Sequence, residues 1–90
     1  MSKINSLLVP NRLKILKILQ KDSTCVCEIV EKLKLKHNLV SHHLKTLQDM
    51  NYVESYRNGQ HIIYSLKNDK IPVIESLMNL IVIFNKHENS

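Results

Sequence analysis

A mainly α domain carrying one small β-hairpin is what this sequence predicts, and three observations predict it. Apolar residues recur at helical spacing through most of the chain. One stretch, Tyr52 to Leu66, switches to β-branched and aromatic residues around Asn58-Gly59. With one Gly and two Pro there is too little punctuation for an all-β fold. Ninety residues make a single domain, 1–90, and at this size an isolated core is only modestly stabilising, so help from a second copy of the chain is expected. Apolar residues make up 43% of the chain with no Trp, one Phe and three Tyr, so the core is built from Leu, Ile and Val.

Taken in order, Asn5 to Leu8 reads as a short first helix that Pro10 interrupts, because proline disfavours helical geometry in the residue before it. Pro10 then suits the first turn of the next helix, NRLKILKILQK, which places Leu13, Leu16 and Leu19 toward a core and leaves Arg12, Lys14, Lys17 and Lys21 largely outside. Asp22, Ser23 and Thr24 form a break rich in capping residues. After it, Val26, Ile29, Val30 and Leu33 follow the i, i+3, i+4, i+7 pattern of one buried stripe.

Lys34 and Leu35 leave only a tight connection before Lys36 to Met50, a stretch that separates into two faces at about 100° per residue. Val40, Leu44 and Leu47 fall on one face; Asn38, Ser41, His42, Lys45 and Asp49 fall on the other. His43 lies on the apolar side, where a packed, hydrogen-bonded histidine is expected. Two helices joined by a short turn make a helix-turn-helix over 22–50, and the donors and acceptors of the polar face suit base edges in a major groove.

The run from Tyr52 to Leu66 predicts a hairpin over 52–66, with Asn58-Gly59 as the two central residues of a type I′ turn. On that assignment Arg57 stands opposite Gln60 and Tyr56 opposite His61, and Tyr64 is a core residue. A basic hairpin tip beside a recognition helix is a wing. Lys67 to Lys70 is a polar link, and a last helix over 71–88 carries apolar residues on more than one face. A single stripe suffices for a monomer. The surplus is assigned to a homodimer contact, with Ile74, Leu77, Met78, Ile81 and Phe84 as its candidates.

Lys and Arg exceed Asp and Glu by 13 to 8, a formal +5 with a pI near 9.4, which suits a polyanionic partner and equally simple solubility. MSKINSLLVP lacks a secretory pattern, and the longest apolar run, Leu80 to Phe84, is far short of a membrane span. A cytoplasmic location without a membrane partner is expected. Two cysteines one residue apart do not read as a disulfide framework, and a bond between such near neighbours is expected to be strained. No pocket, oxyanion donor or general base can be inferred for a thiol enzyme, so the chain reads as a non-enzyme.

Helix, helix-turn-helix, NG hairpin and apolar terminal helix together resemble the winged helix-turn-helix repressors of the arsenic-repressor (ArsR/SmtB) family, over roughly Asn11 to Leu66. NRLKILKIL is similar to that family's second helix, VSHHLKTLQDMNYV to its recognition helix and first wing strand, and GQHIIYSL to its second wing strand. TCVCE is similar to the Cys-Val-Cys-acidic signature of its metal- and metalloid-sensing members. The resemblance implies a homodimer, closed by the C-terminal helix, that binds double-stranded DNA. His37, Asn38, Ser41, His42 and Lys45 would contact the duplex, with Arg57 and Asn58 of the wing on its backbone. Lys36 departs from the pattern by standing where a capping Ser or Thr is common, a loss of about 1 kcal/mol of helix stability.

Cys25 and Cys27 are the candidate ligands of a thiophilic metal or metalloid ion, and no other cofactor is required. Residues i and i+2 of a helix do not face each other, so the pair can chelate only if Cys25 lies outside the helix. In the family a third cysteine, further along the helix or in an N-terminal extension, completes the set; here Val30 holds the first place and the N-terminal stretch has no Cys. Buried small apolar cysteines and an oxidation-responsive thiol are the other readings of the pair. The expectation is therefore a sequence-specific transcriptional repressor on a pseudo-palindromic operator, released by a metal, metalloid or redox signal. The alternative is a winged-helix interaction module that binds an acidic partner without sensing.

Overall fold

Pro10 opens the first helix of the computed structural model, α1 (Pro10–Lys21), with Val9 extended before it as the N-cap. The structure describes residues 8–88, and side chains over 8–82. There follow β1 (Thr24–Cys25), α2 (Val26–Leu33), α3 (His37–Asp49), β2 (Val53–Asn58), β3 (His61–Leu66), a 3-10 turn (Asn68–Lys70) and α4 (Ile71–Glu88). A first helix at Asn5 to Leu8 lies outside the described residues but for Leu8, which is in a turn.

The buried stripe of α1 is Ile15, Leu16 and Leu19, with Leu13 only half-buried. This corrects the expected Leu13, Leu16 and Leu19. Counting back from Leu19 at i+7, i+4 and i+3 puts Arg12 at the head of the stripe, so that arginine is half-buried rather than on the outer face. Its guanidinium is turned to account inside the fold, as described below.

Ile29 anchors α2, with Val26, Val30 and Leu33 packed against the same core. The turn to α3 manages without glycine: Lys34 itself adopts the left-handed region at φ 57°, ψ 40°, and its N–H donates to the Val30 carbonyl at 2.9 Å. For an L-residue that conformation costs roughly 1–2 kcal/mol. Lys36 caps α3 through backbone geometry alone, with no side-chain hydrogen bond. Four residues of α3 are buried, Val40, His43, Leu44 and Leu47, so this helix is held by its whole length.

The hairpin differs from the expectation in two ways. First, Asn58 pairs with His61 and Arg57 with Ile62, so the central turn residues are Gly59 and Gln60. Gly59 has φ +66°, and Gln60 is not among the positive-φ residues, which is the pattern of a type II′ turn rather than type I′. Each cross-strand partner moves two residues along; with a side-chain period of two, every residue keeps its face. Second, the sheet has three strands in the order β1-β3-β2, because Thr24 and Cys25 pair antiparallel with Tyr64 and Ile63. Two residues are too few to leave an alternation in the sequence; the free edge of β3 recruits them.

One core joins these elements: Ile15, Leu16 and Leu19, Ile29, Val40, Leu44 and Leu47, Val53, Leu66 and Ile74. Tyr64 is partly buried against it, as expected. Thr24 is buried too, and its hydroxyl has no hydrogen-bond partner among the described residues. Ile74, expected at a contact between copies, is fully buried inside this chain. The first turns of α4 therefore dock on the body of the domain through Ile74, while Val73 beside it and Leu80 and Val82 further along stay exposed.

Lys34→Gly should remove the left-handed penalty at the cost of glycine's extra unfolded entropy, a net gain of about 0.5–1 kcal/mol. Thermal unfolding should then shift up by about 2–8 °C; an unchanged or lower midpoint would mean that the lysine side chain contributes contacts that offset its backbone strain.

Candidate nucleic-acid interface

The face that α3 turns away from the core is polar. His37, Asn38, His42 and Lys45 are exposed and Ser41 is half-buried, while the opposite stripe is sealed in the core. The Ser41 hydroxyl and His37 Nδ1, one turn apart, lie 3.4 Å from each other. Lys45 Nζ sits 3.9 Å from an Asp49 carboxylate oxygen, with 77% and 68% of the two side chains exposed. A pair this open is worth little, so Lys45 is available to a phosphate.

Arg57 and Asn58 are exposed at the end of β2, beside the turn. Gln48 of α3 donates from Nε2 to the Ser55 hydroxyl of β2 at 3.3 Å, a tie between the helix and the wing's first strand. At the other end, His37 and Ser41 of α3 share a cleft of about 300 Å³ with Gln60, His61, Ile62 and Tyr64 of the wing. The N-terminal turn of α3 and the wing tip are thus neighbours on one side of the domain.

The same cleft is lined by Cys25, Val26 and Cys27. Cys25 is the N-cap of α2, extended at φ −90°, ψ 167°, and so lies outside the helix, the condition the pair needs in order to face a common partner. The two cysteines are joined by a disulfide across a Cα separation of 5.3 Å. That corrects the expectation of an unbridged pair: with Cys25 extended and outside the helix, its side chain is no longer turned away from that of Cys27 as i and i+2 of a helix are, and the Cα separation is ordinary for a disulfide.

Sequence reasoning missed His61. Its ring nitrogens and the two sulfurs offer ligand atoms within 4.8 Å of one another, the one group of three or more such residues that could hold a metal ion among those described. The donor set fits a thiophilic cation once the disulfide is reduced; as a disulfide the sulfurs are no longer thiolates. Nothing in the sequence signals the juxtaposition, because it depends on β1 pairing with β3. Given that pairing, Cys25 stands opposite Ile63, and His61 is two residues along on the same face.

A second pair was half legible. His43 is 6% exposed, and Arg12 Nε donates to its Nδ1 at 3.0 Å. Burial, followed by the nearby charges of Arg12 and His42, lowers its pKa below the ordinary 6.5. The imidazole is therefore neutral, its proton on Nε2, and it accepts the arginine's hydrogen bond within the core beneath the reading face.

Comparison with known proteins gives a consistent result. The profile of "Bacterial regulatory protein, arsR family" matches residues 9–55. The chain is 31% identical to an arsenical resistance operon repressor of Staphylococcus xylosus over 72 residues, 80% of this chain and 69% of that one. It is 39% identical to a cadmium resistance transcriptional regulatory protein of Listeria innocua over 62 residues, 68% of this chain and 52% of the relative. Among solved structures, NolR from Sinorhizobium fredii is 31% identical with a TM-score of 0.76, covering 87% of this chain and 78% of its own. A homodimeric winged helix-turn-helix DNA-binding domain from Mycobacterium bovis has a TM-score of 0.77 at 23% identity, over 92% of this chain and 75% of its own.

The neutral His43 sets a pH dependence. Its contribution to stability is complete above the ordinary value near 6.5 and is lost as the pH falls below it, because the unfolded chain then takes up a proton that the folded chain resists. The urea midpoint should fall between about pH 7 and about pH 5, and His43→Asn, which keeps an acceptor for Arg12 but does not titrate, should show a smaller fall. An equal fall in both proteins would assign the pH dependence to other groups.

Proposed function

We propose that this chain, which belongs to the arsR family of bacterial regulatory proteins, represses transcription as a homodimer on a pseudo-palindromic operator and leaves it when Cys25 and Cys27 are engaged. The family's members are DNA-binding transcriptional regulators, not enzymes, and the fold is their winged helix-turn-helix. One observation carries the reading furthest. The exposed polar face of a helix otherwise sealed in the core shares a cleft with the tip of the wing, at whose end Arg57 is exposed.

Asn38, Ser41 and His42 are the base-reading candidates on this view. His37, Lys45, Arg57 and Asn58 position the protein on the phosphates. The formal +5 supplies the salt-sensitive part of affinity. A binding module for an acidic protein has no support among the relatives, which are regulators by name.

Homodimerisation through α4 is supported by Leu80 and Val82, 64% and 53% exposed, with Val73 also exposed and Leu77, Met78 and Ile81 half-buried beside them. The side chain of Phe84 lies outside those described. Ile74 anchors the helix to its own domain and so presents the face instead of forming it. No helix among the described residues is long and apolar enough to cross a membrane.

Release follows from linkage. Whatever binds the non-DNA-binding conformation more tightly shifts the population toward it and loosens the operator. Relatives named for arsenical and cadmium resistance support a thiophilic ion as the signal. Cys25 and Cys27 as reduced thiolates would hold such an ion, which when bound supplies a crosslink at the start of α2. Oxidation to the disulfide removes those two ligands, so the redox state of the pair sets whether the ion can be read at all.

Fluorescence anisotropy with the reduced chain and its own upstream DNA should show tight, salt-dependent binding that a scrambled duplex does not match. Asn38→Ala should cost about 1–3 kcal/mol on the specific duplex and little on the scrambled one, whereas Lys45→Ala should weaken both and lower the salt slope by about one. Equal binding of the unaltered protein to both duplexes, upheld after selection from random sequences, would remove the reading. Leu80→Glu should convert the dimer to a folded monomer in sedimentation; a persistent dimer would place the contact elsewhere.

A further inference from the structure

We propose that His61 of the wing is the third protein ligand, with Cys25 and Cys27, of a site for a borderline-soft divalent cation of the Zn2+ and Cd2+ class, and that the site fastens the wing to the start of α2. The site itself stands on geometry, while its effect on DNA rests on the regulator reading above.

Three donors from two separate parts of the chain carry the assignment. Cys25 ends β1, Cys27 lies in the first turn of α2, and His61 opens β3, yet their ligand atoms fall within 4.8 Å of one another. The β1 to β3 ladder holds them there, with Cys25 opposite Ile63 on the face that His61 shares. Cys25 is half-buried, and Cys27 and His61 are exposed, so an ion has access without a rearrangement of the core.

The donor types select the ion. Two thiolates and one imidazole suit a Zn-like cation, and three protein ligands leave a fourth position for water or another group. Two thiolates also balance a divalent charge in a cleft whose remaining walls, Val26, His37, Ser41, Gln60, Ile62 and Tyr64, carry no carboxylate. A trivalent metalloid, which favours thiolates throughout, finds only two here.

The disulfide makes the site conditional. A dithiol reductant must first deliver two electrons: its two sulfurs join as they lose their protons, the Cys25–Cys27 bond breaks, and two cysteine thiols form. Those thiols release their protons to water as they bind the cation. The consequence for DNA lies in the neighbours. His61 pairs across the hairpin with Asn58, and His37 and Ser41 of the reading helix line the same cleft. Fastening His61 to the cysteines therefore fixes the wing tip relative to α3.

The test is Zn2+ titration of the full chain, reduced with a non-chelating phosphine, against a chromogenic chelator, with Co2+ absorption reporting the ligand set. One ion per chain is expected, with the unreduced protein binding none. His61→Ala should weaken binding roughly tenfold or more and alter the Co2+ spectrum, whereas His37→Ala should leave both unchanged. Undiminished affinity in His61→Ala, with binding abolished in Cys25→Ser, would overturn the role of His61. Arsenite bound more tightly than Zn2+ and insensitive to His61→Ala would overturn the choice of ion. Anisotropy on the same samples separates the two readings: Zn2+ binding through His61 with no selective duplex binding keeps the site and removes the regulator, and the reverse removes only the site.

Discussion

Burial of one side of α3 is the constraint on which the rest depends. Val40, Leu44 and Leu47 have no exposed surface, and His43 is nearly as deep, so the helix that carries the reading face is also the centre of the core. Truncating any one of those leucines would cost about 2–5 kcal/mol, a large share of the 5–15 kcal/mol typical of a whole domain. The face opposite the core can therefore carry polar residues, with Leu39 exposed at its flank, because the buried face alone holds the helix in place. His43 brings a polar atom into that packing, and Arg12 answers it with a hydrogen bond across 31 positions of sequence.

From that core the two-residue β1 acts as a clasp. By pairing with β3 it draws the start of α2 onto the wing, and α2 in turn packs on α3. The cysteine pair, the wing histidine and the first turn of the reading helix meet because of this clasp. A short, hydrogen-bonded connection thereby runs from the cysteines to both elements expected on DNA. A coupling along it needs no long chain of intermediates, only two arrangements of the wing that a ligand can distinguish.

Much of this was legible in the residues. The stripe in α2, the two faces of α3, the hairpin around Gly59 and the apolar excess of the last helix are periodic features, and periodicity reports which side of an element meets a core. It is a poorer guide to phase and partner. The stripe of α1 was displaced because Leu13 is as apolar as Ile15, and only the neighbours decide which of them is sealed. The turn was displaced by one residue, since Asn-Gly and Gly-Gln both offer glycine the positive φ that a tight hairpin needs. The apolar set on α4 was divided by tertiary contact: Ile74 went to the domain, while Leu80 and Val82 stayed outside.

By itself, then, the sequence determined the main helices, the hairpin, their order and the polar face of α3, because these follow from local composition and spacing; the family was legible as a resemblance carried by particular motifs, VSHHLKTLQDMNYV and TCVCE among them. Tertiary structure alone decided that Thr24 and Cys25 form a strand, that the cysteines can be bridged, that Arg12 pairs with His43, and that His61 stands beside Cys25 and Cys27. Each is a contact between residues far apart in the chain, or a local geometry imposed by such a contact, and it exists only after the core has brought those segments together.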